Sequence, residues 1–391
     1  MLKPGLIQSL PELAGPALTV YLDTNPAKEF NRGLKPGYLT RFESQAKSIA
    51  DAVSPIHTEA FREQVMRVEE YLRIHPLPYK GIAIFAGSDA WEVVPLQIEV
   101  QDEIRWGAPA VAQLYWLLDE HKPYGLVVVD QKRARFFLYW LDELLELEEK
   151  EFRMKVTKKK EMGPVARAGG VRMSRGTNRD AFENRVAAQY AHYYRQIAER
   201  TERWCAAQHL QSVFLAGLSE MSKGIWKDLP QSLQERAIPV EEDLGWMSRA
   251  ELLQRFQPIV VEREREREMK LIGDLLGTGR GVVVGIDETL AQLQKGTIRT
   301  VVIAKGLNTT LLRCGECLWV DRAADRRCPA CGRDRYEVQL REILPELARR
   351  YNISMEVVSG EAASKIREAG GMGAWLSELG RKEYGQRLKF A

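Results

Sequence analysis

One stretch of the chain reads Ala168-Gly169-Gly170-Val171-Arg172 and follows the run Lys158-Lys159-Lys160. In the surrounding segment, 152–203, thirteen lysines and arginines outnumber five acidic residues, so the segment carries a net charge of +8 while the whole chain carries +3. Concentrated positive charge gives affinity for polyanions through counterion release, and glycine lets a backbone approach a ligand closely. A solvated surface loop in front of a charged helix is the alternative interpretation. The segment predicts a basic, polyanion-binding loop held by a helix that starts near Arg179.

Patterns on both sides of this basic loop predict a domain of strands and helices. Strands are predicted at 125–130, 134–140, 142–151 and 213–217, a short helix at 231–237, and a strand or helix entry at 258–261. The helix after the loop has a stripe of side chains at steps of three and four residues, which is typical of packing against a core. The stripe consists of Phe182, Val186, Tyr190, Tyr193, Ile197, Thr201 and Trp204. The loop is therefore expected to be held by a sheet at one end and by a rigid helix at the other.

The part of the chain before this domain also mixes strands and helices. Strands are predicted at 18–23, 81–86 and 91–96, and helices at 39–53, 58–74 and 108–121. Asp23 lies at a strand end and could be a ligand, but a turn residue is the alternative. No catalytic set of residues is recognisable here.

The part after the middle domain predicts an α/β/α sandwich, because strands and helices alternate in it. Strands are predicted at 281–286, 298–304, 336–340 and 353–358, and helices at 287–296, up to 350 and at 360–369. Asp287 is the expected cap of the first of these helices. The stretch Glu262–Glu268 alternates Glu and Arg, which predicts a solvent-exposed helix that connects the middle and C-terminal domains.

Composition narrows the class of protein. The chain has 391 residues, 45% hydrophobic and 28% charged, which is typical of a globular protein of two to four domains. No apolar run approaches the roughly 18 residues of a membrane span, and Met1–Gly5 lacks the apolar core of a signal peptide. Five cysteines do not make a disulfide framework, so the reducing cytoplasm is the expected location.

Four of the cysteines form two matched pairs, Cys314-Gly-Glu-Cys317 and Cys328-Pro-Ala-Cys331. Two thiolates two residues apart, twice, are the ligand set of a tetrahedral zinc site, and four protein ligands leave no position for a substrate. The sequence therefore predicts a structural zinc ribbon inserted between two strands. A redox dithiol does not explain the second pair, and an iron–sulfur cluster is the other alternative. Cys205, on the long helix, is expected to be a buried small hydrophobic residue.

Three features now coincide: the basic Gly-Gly loop, the α/β/α domain with its four-cysteine insertion, and the stretch Ala369-Gly370-Gly371-Met372-Gly373-Ala374-Trp375-Leu376. Over residues 122–391 they resemble the archaeal and eukaryotic class-one peptide-release-factor superfamily and its bacterial relatives. The resemblance implies an RNase-H-like middle domain. In that superfamily a Gly-Gly-Gln loop enters the peptidyl-transferase centre, where the glutamine supports hydrolysis of peptidyl-tRNA.

The chain departs from the superfamily at two points. The positions that match the loop are Gly169, Gly170 and Val171, and valine can neither position water nor hydrogen-bond to the terminal ribose. The N-terminal domain also lacks the Asn-Ile-Lys-Ser and Tyr-x-Cys motifs that read stop codons. In both respects the chain is similar to the Balon-like ribosome hibernation factors, bacterial members that occupy the A site of idle ribosomes with an elongation-factor partner.

The resemblance therefore implies a ribosome-binding protein of translation and not an enzyme, one that occupies the A site near the peptidyl-transferase centre in hibernation or ribosome protection. Its N-terminal domain would contact the small subunit, its basic loop the large-subunit rRNA, and its C-terminal domain or zinc ribbon an elongation-factor-type GTPase. The residues implied in RNA binding are Lys158, Lys159, Lys160, Arg167, Gly169, Gly170, Val171, Arg172, Arg175 and Arg179.

Two other functions are open at this stage. One is a codon-independent peptidyl-tRNA hydrolase of ribosome rescue, in which the backbone amides of Gly169 and Gly170 act with Ser174 or Asn178. The other is a nuclease in the middle domain, but Asp130 is its only obvious strand-end carboxylate, and two-metal chemistry needs several converging acids.

The sequence as a whole predicts a multidomain α/β protein. The predicted parts are an N-terminal α/β domain at 1–121, a release-factor-like middle domain at 122–261 with its loop at 158–178, and a C-terminal α/β/α domain at 262–391 with a zinc ribbon at 313–333.

Overall fold

A computed structural model of the chain describes residues 15–33, 35–152, 176–208, 210, 212–277 and 281–378, with the backbone alone at 176–182. The chain forms two compact units. One combines Met1–His121 with Ile259–Ala391, and the other is Lys122–Pro258. The multidomain α/β class is confirmed, whereas the three-domain division stays a prediction because the two ends of the chain share one unit.

The first part of the chain folds as an antiparallel sheet with two helices on one face. Its elements are β1 (Ala17–Asp23), α1 (Gly37–Ala50), α2 (Thr58–Ile74), β2 (Gly81–Ala86), β3 (Trp91–Leu96), β4 (Glu103–Gly107) and α3 (Ala112–Glu120). The strands lie in the order β3-β2-β1-β4. Leu18, Val20, Phe42 and Phe61 are in the core between the sheet and α1 and α2. The sequence missed β4, since this short edge strand buries only Ile104 fully.

The second unit is built on a five-stranded sheet. Its elements are β5 (Tyr124–Val129), β6 (Arg133–Trp140), β7 (Glu143–Glu151), α4 (Gly176–Ala207), β8 (Ser212–Ala216), α5 (Ser219–Asp228), α6 (Gln231–Gln234) and β9 (Ala237–Val240). The order is β7-β6-β5-β8-β9. The first three strands are antiparallel to their neighbours, and β5, β8 and β9 are parallel. The strands predicted here are confirmed, and the arrangement agrees with the RNase-H-like fold that the resemblance implies.

An ion pair with a buried arginine joins β6 to the edge strand β7 of this sheet. Arg135, whose side chain is 9% exposed, donates two hydrogen bonds to Glu146, at 2.8 and 2.9 Å, and one to the backbone oxygen of Met247. Hydrogen bonds from Arg135 lower the pKa of Glu146, although its partial burial opposes this. A group with a lowered pKa stabilises the fold above its unfolded pKa, and this contribution is lost as the pH falls through the folded pKa.

We therefore expect Glu146→Gln to lower the melting temperature at neutral pH, because Arg135 is left buried without a counter-charge. The difference from the native protein should shrink in acid, where the native carboxylate is itself protonated. Thermal unfolding across a pH series measures this. The matched control is Glu143→Gln on the same strand, whose carboxylate has no arginine partner in the described part of the chain. Equal effects of the two substitutions at neutral pH would contradict the prediction.

One long helix, α7 (Arg249–Gly277), runs through the stretch where the units divide. A capping box starts it: the backbone N–H of Ser248 donates to Glu251 at 2.8 Å, and the N–H of Glu251 donates back to the Ser248 hydroxyl at 3.4 Å. Of the two alternatives for 258–261, the strand is wrong and the helix agrees with the structure, since these residues are helical despite Pro258. The Ser-x-x-Glu spacing of Ser248 and Glu251 is typical of a capping box and would have predicted that a helix begins here.

The helical prediction for Glu262–Glu268 is confirmed, but its uniform exposure is wrong. Arg267 donates to Glu356 at 3.0 Å. Glu268 is 7% exposed and accepts hydrogen bonds from the backbone N–H of Ser359 at 2.9 Å and from its hydroxyl at 3.0 Å. Ser359 is the N-cap of the helix Gly360–Glu368, so the positive end of that helix dipole favours the charge of Glu268. The sequence does not indicate that Glu268 faces inward, because the Glu–Arg alternation contains no apolar residue on that side of the helix.

The last part of the chain is a sheet between two helical layers. Its elements are β10 (Val282–Val284), α8 (Ile286–Gln294), β11 (Ile298–Ala304), β12 (Thr310–Cys314), β13 (Val320–Asp321), β14 (Arg335–Gln339), α9 (Leu340–Arg350), β15 (Ser354–Val358), α10 (Gly360–Glu368) and β16 (Met372–Leu376). The main sheet has the order β10-β16-β11-β15. Leu290 of α8 and Leu344 of α9 pack in one core cluster, and Leu275 of α7 and Ile366 of α10 in another. The α/β/α sandwich is confirmed.

Two details of this sandwich differ from expectation. Gly285 is the N-cap of α8, and Asp287 lies in its first turn and pairs with Arg322, so Asp287 is not the cap. The Gly-rich stretch leads into the central strand β16. Gly370 has φ +105°, and a Cβ there would lie 2.9 Å from the Cα of Gly285, so only glycine fits this close approach.

The helix α3 from the first part of the chain belongs to the core of the last part. Trp116 is 4% exposed, lies in the same cluster as Leu344, and donates its indole N–H to the backbone oxygen of Arg341 at 2.7 Å. Asp119 accepts a hydrogen bond at 2.8 Å from the backbone N–H of Val357 on the edge strand β15. The predicted domain at 262–391 therefore lacks α3, although α3 forms part of its hydrophobic core.

Candidate functional site

The four predicted metal ligands come together in a separate small sheet. It has the order β13-β12-β14, and all its strands are antiparallel. Cys314 ends β12 and Cys317 follows in the turn, while Cys328 and Cys331 lie in the connection from β13 to β14. We call residues 310–339 the cysteine ribbon. The sequence identified all four cysteines, and the structure brings them together as expected.

The geometry of the four sulfur atoms fits one metal ion. All four lie within 4.8 Å of one another, and the Sγ atoms of Cys314 and Cys331, and of Cys317 and Cys328, are 3.4 Å apart. Four thiolates about 2.3 Å from one tetrahedral ion would have sulfurs roughly 3.8 Å apart. Cys314 and Cys328 are buried, and Cys317 and Cys331 are exposed. The cluster can therefore hold a metal ion such as zinc at the surface of the ribbon.

Both cysteine turns have the same backbone form. The residue after each second cysteine has a left-handed conformation, Leu318 with φ 64° and Gly332 with φ 73°. Such turns point backbone amides toward the first sulfur. Burial alone would raise the pKa of the Cys314 thiol, but hydrogen bonds from the backbone amides of Cys317 and Glu316 lower this pKa to about 6. The amides thus favour the thiolate, the form that binds metal.

Charged side chains tie the ribbon together and to the sandwich. The buried Arg335 pairs with Asp321 and donates to the backbone oxygens of Leu312, at 2.9 Å, and Asp325, at 3.1 Å. Arg313 forms an ion pair with Glu346 on α9, at 2.6 Å. These bonds hold the ribbon together and link it to the sandwich, but they do not bring a catalytic group to the cysteines. The arrangement is that of a structural site.

The basic loop lies outside the described residues, and with it Lys158, Lys159, Lys160, Arg167, Gly169, Gly170, Val171, Arg172 and Arg175. Arg179 lies on α4, and its side chain is outside the description as well. The predicted RNA contacts therefore stay a prediction. Phe152 is the last described residue before this segment. Its ring stacks on Tyr193, with centroids 4.2 Å apart.

The stripe on α4 is core packing over the second half of the helix. Tyr193, Ile197, Thr201 and Trp204 are buried. Tyr190 is half-buried beside Phe152, and the described side chains before it on the helix, at 183–189, are mostly exposed. Cys205 is buried too, and its burial raises the pKa of its thiol to about 12. It is a packing residue, as predicted.

Asp130 is used by the turn between β5 and β6. Its carboxylate accepts hydrogen bonds from the backbone N–H groups of Lys132, at 2.6 Å, and Arg133, at 2.9 Å, and pairs with the Arg133 side chain at 3.4 Å. Asp23 is engaged in the same way, with the backbone N–H of Asn25 and with Lys28. Neither carboxylate belongs to a converging acid set in the described part of the chain, which gives no support to a nuclease site.

Residues 109–259 match the family model of bacterial archaeo-eukaryotic release factor family 10. Over this segment the chain is similar to bacterial archaeo-eukaryotic release factors. The release-factor-like segment contains α3, the whole five-stranded sheet, α4 and the start of α7, and it includes the basic loop. The predicted resemblance to this superfamily is thus confirmed, while the narrower likeness to Balon-like factors stays a prediction.

Solved structures of related proteins match at low similarity. An archaeal translation termination factor, aRF1, is 16% identical over 95% of this chain and 96% of its own, with a TM-score of 0.22. Pelota from Archaeoglobus fulgidus is 14% identical over 75% of this chain and 78% of its own, with a TM-score of 0.31. No curated protein sequence matches the chain. Among the described residues, no helix combines the length and the apolar character that a membrane span requires.

Proposed function

We propose that the protein is a ribosome-binding release-factor homologue that occupies the A site near the peptidyl-transferase centre without hydrolysing peptidyl-tRNA, in ribosome hibernation or protection. The observation that supports this most is the release-factor family match at 109–259, which includes Gly169-Gly170-Val171 where the superfamily has Gly-Gly-Gln. Valine has no hydrogen-bonding group, so it cannot orient the water that hydrolysis consumes.

The charge of the loop supports an RNA ligand. The segment 152–203 carries +8, and the segment between β7 and α4 contains most of its cations. Such a segment would contact phosphates of large-subunit rRNA through Lys158, Lys159, Lys160, Arg167, Arg172, Arg175 and Arg179, while Gly169, Gly170 and Val171 would form its tip. Phosphate contacts give affinity that depends strongly on salt.

The rest of the chain has supporting roles in this proposal. The ion of the cysteine ribbon is zinc, because four thiolates in closed tetrahedral geometry are its preferred structural site. Residues 1–121 contact the small subunit, and an elongation-factor-type GTPase binds the C-terminal domain or the ribbon. The protein acts in the cytoplasm, and its parts correspond to 1–121, 122–261 and 262–391.

Sedimentation with vacant ribosomes across a salt series tests this function. We expect the native protein to co-sediment at low salt and to dissociate as salt rises. Replacing Arg167, Arg172, Arg175 and Arg179 with alanine should weaken binding and reduce the slope of log affinity against log salt by roughly 3, since each phosphate contact contributes about 0.7–0.9.

A variant that removes the same charge elsewhere is the control: Arg263, Arg265, Arg299 and Arg350 are all exposed in the described structure. It should bind like the native protein. Undiminished binding of the loop variant would contradict the proposal. Peptide release from ribosome-bound peptidyl-tRNA, measured on the same samples, should be absent, and its presence would favour the rescue hydrolase.

A further inference from the structure

A cleft of about 530 Å³ lies between α3 and α9, within the unit that combines the two ends of the chain. This volume is within the range of roughly 300–1,000 Å³ that is common for small-molecule sites. Tyr115 and Trp116 line one wall, and Arg341 and Arg349 line the other. Of the cysteine ribbon, its last residue Gln339 lines the cleft, and none of the four cysteines does.

Two of the arginines that line the cleft, Arg341 and Arg349, each lie over an aromatic ring. The guanidinium carbon of Arg341 lies 5.3 Å from the ring centroid of Trp116, and that of Arg349 lies 4.8 Å from the ring centroid of Tyr115. Arg349 also donates to the Tyr115 hydroxyl at 3.3 Å. Stacking on a ring orders a guanidinium plane and leaves its second face available to a ligand.

The charges in the cleft leave these two arginines uncompensated. Its acids are already matched by other arginines: Asp102 by Arg41, Glu103 and Glu342 by Arg105, and Glu346 by Arg313. Neither Arg341 nor Arg349 has a carboxylate partner in the described part of the chain, and the Arg341 side chain donates no hydrogen bond there. Two ordered cations without counter-charges favour an anionic ligand.

The spacing of the two arginines restricts the size of that ligand. They are eight residues apart on α9, which is about 12 Å along the helix axis, so one small anion cannot reach both. A ligand with a phosphate at one end and a planar group at the other can. Guanidinium groups bind phosphate through paired N–H groups and stack on nucleobases through their planes.

We propose that this cleft binds a nucleotide unit, with the phosphate on Arg341 and the base stacked on Arg349. Arg341 takes the phosphate because all its side-chain N–H groups are available, whereas Arg349 shares one with Tyr115. Asn308 and Gln339 also line the cleft. The nucleotide is either free or part of a single-stranded RNA, because both present the same chemistry.

Calorimetric binding to the full chain, without ribosomes, tests the proposal with four probes: AMP, ATP, a short single-stranded RNA and inorganic phosphate. We expect saturable binding of a nucleotide or of RNA, and weakening by about tenfold or more in Arg341→Gln and Arg349→Gln, since each removes a charge-assisted or stacked contact. Tighter binding of AMP or ATP would identify a free nucleotide as the source, and tighter binding of RNA would identify a strand.

Arg350→Gln is the matched control, because Arg350 is the next residue on α9, lies over Tyr351 and does not line the cleft. Arg341→Lys adds a variant that keeps the charge and loses the planar fork, and we expect it to bind more weakly than the native protein at an unchanged melting temperature. Binding of phosphate alone, no saturable binding, or equal binding by the cleft variants and Arg350→Gln would overturn the proposal. Because no ribosome is present, failure here leaves the proposed function untouched.

Discussion

Replacing Cys314 with serine is expected to abolish metal binding and to unfold the cysteine ribbon. The four sulfurs lie within 4.8 Å of one another, and a site of this kind gives on the order of 10 kcal/mol of metal-binding free energy that is also folding free energy. Serine cannot supply the missing thiolate, and Cys314 is the buried ligand at the end of β12. The end of β12 and the connection from β13 to β14 would then no longer be held together by a shared ion.

Metal analysis of the purified native protein and of the variant measures this. We expect one equivalent of zinc in the native chain and none in Cys314→Ser, together with new proteolytic cleavage within residues 310–339. The matched control is Cys205→Ser, which removes a buried thiol that lies outside the ribbon. Its metal content should equal that of the native protein. Native protein free of metal, or protein with iron and inorganic sulfide, would contradict the zinc assignment.

Replacing Trp116 with alanine is expected to lower the free energy of unfolding of the unit that contains it by about 3–5 kcal/mol, the range for deleting a large aromatic side chain from a core. Trp116 is 4% exposed, packs in the core of the α/β/α sandwich, and donates to the backbone oxygen of Arg341. The substitution leaves both a cavity and an unsatisfied carbonyl. Residues 262–391 alone should be unstable for the same reason, since they lack α3.

Hydrogen exchange is the suitable measurement, because a chain with two units does not unfold in one step. Exchange should accelerate in α3, α9 and β15 and stay unchanged in the five-stranded sheet. Trp246→Ala is the control: Trp246 is 69% exposed, and a surface substitution of this kind should change stability by less than about 0.5 kcal/mol. If Trp116→Ala is no more destabilising than this control, α3 is not part of the sandwich core in solution.

The cluster of four cysteines was predictable from the sequence because its information is local. Cys314 and Cys317, and Cys328 and Cys331, are each two residues apart, so each turn presents its two thiolates without help from the rest of the chain. The predicted strands at 81–86, 91–96, 125–130 and 298–304 are likewise confirmed, since buried strands are marked by their own runs of apolar residues. The valine of the Gly-Gly loop is a fact of sequence alone, and it carries the proposal on function.

Other features depended on partners that no local pattern identifies. An apolar face predicts that a helix is buried, but it does not identify the element against which the helix packs. Nothing near Trp116 in the sequence therefore indicated that it packs in a core with Leu344, more than two hundred residues away. The burial of Glu268 and the stacking of Arg341 and Arg349 on the rings of α3 likewise depend on residues that are distant in sequence.

The amino-acid sequence by itself therefore determined the class of fold, the four-cysteine cluster and the valine that follows Gly169-Gly170, because each of these is set by residue types at short spacing. Only the tertiary structure decided that the two ends of the chain share one unit and that two arginines face a cleft without counter-charges. The physical reason is that packing and electrostatic pairing act through space. A charged residue becomes buried, or becomes a binding group, only when elements distant in sequence pack around it.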